Sequence, residues 1–164
     1  MTVVSNSSPL IILAKLQCFD LLNRLFPRVY ISAEVQREVV VSGAGLPGAS
    51  EVAKAEWIEA KPLRNPAGLL AAQEKYALGV GELSTILLAK EVQASAVLLD
   101  DYHARELAKT EGLQVRGTVG LLETFYVRGH LPDLRAAFRQ LLSHSYIERQ
   151  LLDLRLRALG LPQL

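Results

Sequence analysis

Four acidic residues stand where a carboxylate has chemistry to do: Glu38, Glu82, Asp100 and Asp101. The last two end the run Ala96–Asp101, Ala-Val-Leu-Leu-Asp-Asp, in which four apolar residues lead straight into adjacent charges. An apolar run of this length, bounded by charge, reads as a strand buried on both faces, the usual pattern of a parallel sheet. Open parallel sheets bind their ligands just beyond the carboxyl ends of the strands. A single Asp there is accounted for as the cap of the following helix. Two in a row are one more than a cap needs.

Glu38 and Glu82 fall at the same edge. Glu38 lies in the helix after the second predicted strand, and Glu82 in the first turn of the helix before the Asp100 strand. Glu34 precedes Glu38 by four residues, but in a first turn a carboxylate simply suits the helix dipole. Carboxylates crowded at one edge repel one another, so a cluster calls for a compensating cation or raised pKa values. Oxygen donors without His or Cys favour Mg²⁺ or Mn²⁺ over zinc. Mg²⁺ held by a few carboxylates suits phosphodiester hydrolysis, because it activates water and neutralises charge on the phosphoryl oxygens. Spacing alone leaves a plainer alternative open: acids are common at helix starts, and two of these four serve equally as caps.

The elements that must position them alternate. Strands are expected at Thr2–Ser5, Arg28–Ile31, Trp57–Lys61, Ala96–Leu99 and Gln114–Arg116. After the first strand, Asn6-Ser7-Ser8-Pro9 reads as a turn, with Ser8 capping a helix that has Pro9 in its first position. A short helix over Leu21–Phe26 follows, and Ser32 caps the next, in which Val35 and Val39 share a face. Ser42–Gly48 is a loop, Ser50–Glu56 a helix, and Asn65–Leu78 another. Gly79-Val80-Gly81 breaks it, so that Glu82 opens a helix running Leu83–Val92. Helices over Tyr102–Glu111, Val119–Arg128, Leu131–Leu142 and Ile147–Leu159 complete the chain. Alternating strands and helices imply an α/β fold with a mainly parallel sheet of about five strands, covered on both faces. The stripes Leu134, Phe138, Leu141 and Ile147, Leu151, Leu154 of the last two helices are expected in core or dimer packing.

The 164 residues suffice for one domain with a sizeable core. Half are hydrophobic and 21% charged, a globular balance. No apolar run approaches the roughly 18–20 residues of a membrane span. The N-terminus lacks the basic region and clean apolar core of a signal peptide, and a cytoplasmic location is expected. The lone cysteine, Cys18, has no internal disulfide partner and reads as a small buried apolar residue. The net charge of +1 carries no global nucleic-acid signature. The tail is different: from Arg128 onward there are six Arg against three acids. Arg forks suit phosphate, and equally carboxylates on a protein partner. Elsewhere, Tyr102 and Trp57 are expected to pack, and His103 to lie in solvent. Arg105 and Arg116 are placed to meet phosphate or a nearby acid.

Several stretches in order carry a family resemblance: Val-Val-Ser-Asn-Ser-Ser-Pro-Leu-Ile (3–11), Val-Tyr-Ile-Ser-Ala-Glu-Val-Gln-Arg-Glu-Val (29–39), Gly-Glu-Leu-Ser-Thr-Ile (81–86), Leu-Leu-Asp-Asp (98–101) and Gly-Thr (117–118). The chain resembles a PIN-domain protein over roughly Thr2 to Gly129 and is similar to VapC-type ribonuclease toxins. The resemblance implies a three-layer α/β/α sandwich over residues 1–129, with 130–164 as a C-terminal helical extension packed on the same domain. It also implies a metal-dependent site for single-stranded RNA, holding Mg²⁺ or Mn²⁺. Its acidic positions fall on Asn6, Glu38, Glu82 and Asp101, with Asp100 adjacent as a further metal ligand; Glu38, Glu82 and Asp101 take the catalytic positions. Thr118 matches a hydroxyl that lines the site. Also implied are a small antitoxin protein as partner, a homodimer, and no membrane association.

Asn6 departs from the family's usual Asp, as it does in a branch of that superfamily that often carries Asn-Ser/Thr-Ser-Pro. Asn offers one neutral oxygen where Asp offers a charge, so metal affinity should fall. Ser7 or Ser8 is placed to supply a hydroxyl or hold a ligand water. A site degenerate through Asn6, binding RNA or a protein without cutting, is the alternative. A phosphoacceptor receiver domain fits poorly, because it wants an acidic pair after the first strand and a Lys after the fifth. Here those positions hold Asn6-Ser7-Ser8 and Gly117-Thr118.

Overall fold

Every strand pairing in the computed structural model is parallel, and the sheet order is β3-β2-β1-β4-β5. Residues 1–145 and 147–164 are described. The strands are β1 (Val3–Ser5), β2 (Val29–Ser32), β3 (Ile58–Lys61), β4 (Ala96–Leu98) and β5 (Val115–Arg116). Among the described residues, ten α-helices join and flank them: α1 (Ser7–Lys15), α2 (Leu21–Leu25), α3 (Ala33–Gln36), α4 (Ala49–Lys54), α5 (Pro66–Lys75), α6 (Val80–Glu91), α7 (Tyr102–Thr110), α8 (Thr118–Val127), α9 (Leu134–His144) and α10 (Arg149–Ala158).

Successive strand residues point to opposite faces, and the core divides accordingly. Val3, Val29, Ile31, Ala96 and Leu98 pack into one cluster with Leu10 and Leu13 of α1, Leu121 and Phe125 of α8, and Phe138 of α9. Val4, Val97 and Leu99 pack into a second, with Ile86 and Leu88 of α6 and Ala104 and Ala108 of α7. Helices on both sides of a parallel sheet make the expected α/β/α sandwich. Phe19 meets Trp57 with ring centroids 5.2 Å apart, so Trp57 packs as expected. Cys18 is buried, and burial pushes its thiol pKa up.

Three differences from the sequence reading bear on the site and the core. Helix α3 does not continue as an α-helix through Val39; Arg37–Ser42 winds as a π-helix. Such widened turns are rare and tend to occur at functional sites. Helix α6 begins at Val80, so Gly81 lies inside its first turn rather than in a break. In α10 the buried leucines are Leu152 and Leu156, while Leu151 and Leu154 are exposed. Both phases satisfy a three-to-four residue spacing in a leucine-rich helix, so periodicity could not choose between them.

Helices α9 and α10 bury Leu134, Phe138, Leu141, Leu152 and Leu156 in the same cluster as Val3 and Leu10. Phe138 is fully buried. Phe138→Ala should therefore cost about 3–5 kcal/mol, lowering the urea midpoint of one cooperative transition. A separate early transition carrying the loss would show that these helices unfold on their own.

Candidate metal centre

In this sheet order the chain moves from β1 to β2 on one side, then returns to place β4 on the other. The carboxyl ends of β1 and β4 thus flank the point where strand order reverses, the usual ligand crevice of an open parallel sheet. Asn6 follows β1; Asp100 and Asp101 follow β4. The register Ser5↔Leu98 and the hydrogen bond from Asn6 N–H to the Leu98 carbonyl (3.0 Å) hold the two exits side by side. Asn6 is only 6% exposed.

Glu38 and Glu82 reach the crevice from two helices. Glu38 projects from the π-helical turn and Glu82 from the first turn of α6. Glu38 meets Asn6 at Gly81, the residue before Glu82. A Cβ on Gly81 would lie 2.6 Å from Glu38 Oε2 and 3.4 Å from Asn6 Oδ1, so the missing side chain is the space these oxygens occupy. Burial raises the Glu82 pKa first, and the neighbouring charge of Asp101 raises it further. Glu38 adds to the rise, while a hydrogen bond from the Gly79 backbone opposes it. Asn6, Glu38, Glu82 and Asp101 therefore share one crevice. Asp101 keeps its cap as well: its Oδ2 accepts from Ala104 N–H at 2.9 Å.

Asp100 is turned to another task. Its Oδ1 accepts from Thr118 N–H (2.7 Å), and its Oδ2 from Thr118 Oγ1 (2.7 Å) and Ser8 Oγ (3.0 Å). One carboxylate thus ties the end of β4 to the starts of α1 and α8. Thr118 is 1% exposed and touches Asp100, joining the centre through it. Ser8 is not the helix cap expected of it. The helix starts at Ser7, so Asn6 stands at the N-cap position without a side-chain cap bond, and the Ser8 hydroxyl donates instead to the charged Asp100. Ser7 is buried, and its Oγ has no hydrogen-bond partner among the described residues. The same holds for Glu34 Oε1.

Tyr102 does not pack as expected; it stands 68% exposed beside Asp101, with its ring edge-on to His103 at 5.4 Å. His103 is exposed, as expected. Arg116 lies over the Phe26 ring, 6.0 Å from its centroid. Arg105 Nη1 donates to the Leu99 carbonyl at 2.9 Å. Gly117 makes room for it: a Cβ there would sit 2.6 Å from that nitrogen and 3.2 Å from Asp100 Oδ1. Sequence reasoning missed Gly81 and Gly117 as members of the centre. Their signal was present as glycines directly before Glu82 and Thr118.

The donor chemistry fits a hard divalent cation. All the converging atoms are oxygens, three of the four groups are carboxylates, and Ser7 leaves a hydroxyl unspent one residue from Asn6. Among the described residues no three His, Cys, Asp or Glu side chains form a ready-made cage. Mg²⁺ does not need one, since it keeps several waters and is commonly held through one or two carboxylates.

The raised Glu82 pKa has a definite sign for stability. Its folded value lies above the unfolded one, so ionised Glu82 costs stability once pH rises through the folded value. Glu82→Gln keeps the acceptor and removes the charge. Without divalent ions, it should melt higher than the parent at neutral pH. Thermal melts across pH should show the gain vanish below about 4.5, where Glu82 is protonated in both states. A variant melting below the parent at pH 7 would contradict the crowding.

No curated protein matches this chain. Among solved structures, a PilT N-terminus domain protein from the hyperthermophilic archaeon Sulfolobus solfataricus P2 is similar at 15% identity and a TM-score of 0.48, over 76% of this chain and 92% of that one. The family profile described as PIN domain matches residues 2–160, reaching from β1 through α10. The chain belongs to the PIN-domain family, a nuclease-type fold family.

Proposed function

We propose that this protein is a metal-dependent endoribonuclease cleaving single-stranded RNA, with Mg²⁺ or Mn²⁺ held by Glu38, Glu82, Asp101 and the Asn6 amide oxygen. The observation that carries the reading is that Glu38 Oε2 and Asn6 Oδ1 meet at Gly81, while Glu38 and Asp101 both lie near enough to Glu82 to act on its charge. PIN domains are generally nucleases and typically use divalent metals. A cation there supplies an activated water and positive charge opposite the phosphoryl oxygens. The protein's own part is positional. Asp100 fixes the end of β4 against α1 and α8 through Thr118 and Ser8, and so sets where Asp101 stands. Gly81 leaves Glu38 its place, and buried Asn6 closes the floor. The resemblance to VapC-type toxins supports a finer assignment. It makes the chain the toxin of a type II toxin–antitoxin pair, a cytoplasmic homodimer neutralised by a small antitoxin protein.

A second reading rests on Asn6. With a neutral oxygen at the buried position, the remaining carboxylates hold metal too weakly to cut, and the protein binds RNA or a protein partner instead. One experiment separates the two. Purified protein with Mn²⁺ should cleave single-stranded RNA, and EDTA should stop it. Glu82→Gln and Asp101→Asn should each lower the rate by about 10²–10⁴-fold. Gly81→Ala should lower it less, by displacing a flexible carboxylate. No cleavage by the parent with either metal would favour the binding module. Cleavage undiminished in both acid variants would refute the assigned centre.

A further inference from the structure

A second concave surface adjoins Asp100, on the side of the β4 end away from Glu82. This groove of about 1050 Å³ begins at Asp100 and Thr118 and runs between β5–α8 and α10. Its lining includes Arg105, Arg116, Arg128 and Arg155. Small-molecule sites occupy about 300–1,000 Å³, so this groove has room for more than one small ligand. Arg155 is committed: its Nε and Nη2 each donate to the Glu123 carboxylate at 2.6 Å. That paired fork pins α10 to α8 and fixes the far wall. Arg105, Arg116 and Arg128 form no ion pair with a carboxylate among the described residues. Arg105 is braced by the Leu99 carbonyl and Arg116 by the Phe26 ring, so both guanidinium groups are positioned in advance. Besides Asp100 and the paired Glu123, the only acid lining the groove among the described residues is the exposed Glu148.

We propose that this groove holds the phosphodiester backbone of single-stranded RNA on one side of the scissile phosphate, with Arg105, Arg116 and Arg128 as its phosphate contacts. The proposal rests on the ribonuclease reading above and names how the same site grips its substrate. Charge divides along the path. The carboxylate end, facing a cation, suits the phosphate to be cut; the arginine end suits the phosphates that follow. A protein partner with acidic side chains would satisfy the same arginines. The groove's start at Asp100, the neighbour of Asp101, favours the nucleic acid, because a strand with one phosphate at Asp101 must leave along some surface, and this one is complementary to it. Helix α10, through Leu151 and Arg155, thereby becomes part of the substrate site.

Binding is read in EDTA, by anisotropy of a short fluorescein-labelled RNA over a range of salt, so that no cleavage is required. The Arg116→Ala, Arg128→Ala double variant should bind roughly tenfold or more weakly. The slope of log affinity against log salt should flatten by about 1.4, at ~0.7 for each phosphate no longer neutralised. Arg139→Ala, on α9 and outside the groove, should change neither quantity. Parent-like affinity and slope in the double variant would overturn the groove, even if the parent cleaves RNA. So would loss of binding to a polyglutamate peptide with RNA binding intact. Salt-dependent binding that disappears in the variant, by a parent that cuts nothing with Mn²⁺, would support the groove while defeating the ribonuclease reading.

Discussion

The structure depends on keeping Glu82 half-buried within reach of two other carboxylates. Burial disfavours its charge, and Asp101 and Glu38 disfavour it again. A fold tolerates such an arrangement where something else compensates, and strain of this kind concentrates at functional sites. The surrounding devices serve to hold the charges there. The β1–β4 register sets Asn6 beside the Asp pair, the π-helical turn presents Glu38 to Asn6, and Gly81 leaves it room.

The adjacent aspartates divide the labour. Asp101 faces Glu82 and caps α7, whereas Asp100 accepts three hydrogen bonds from two helices and lies beside Arg105. The carboxylate crevice and the arginine groove thus meet at the end of β4. Glu123 and Arg155 hold the groove's other wall, which makes the last helix a structural part of the site's surroundings rather than an appendage.

Much of this was legible in the sequence. The apolar run into Asp-Asp marked the central strand and the crevice, and the alternation of strands and helices implied the three layers. The convergence of Glu38, Glu82 and Asp101 followed from where their helices start. What escaped has physical reasons. A π-helical turn has no periodicity signature in six residues. Adjacency alone cannot say which of two aspartates is drawn into hydrogen bonds away from the crevice, because that is decided by Thr118 and Ser8, far away in sequence. Tyr102 looks like any aromatic near a strand end, and nothing in its neighbours distinguishes an exposed ring from a packed one. The buried face of α10 was undetermined among four leucines. Arg105 and Arg116 were noted in the sequence as able to meet phosphate, but the groove itself was invisible, since its four arginines come from separate parts of the chain and carry no spacing.

The central claim is that one divalent cation relieves the repulsion among these carboxylates. The direct measurement is the titration of the Glu82 side-chain carboxyl by NMR, with and without Mg²⁺. Without metal it should titrate above the ordinary value of 4.5, and saturating Mg²⁺ should move the titration well down. A Glu82 that titrates at its ordinary value, or one that Mg²⁺ leaves unmoved, would contradict the account.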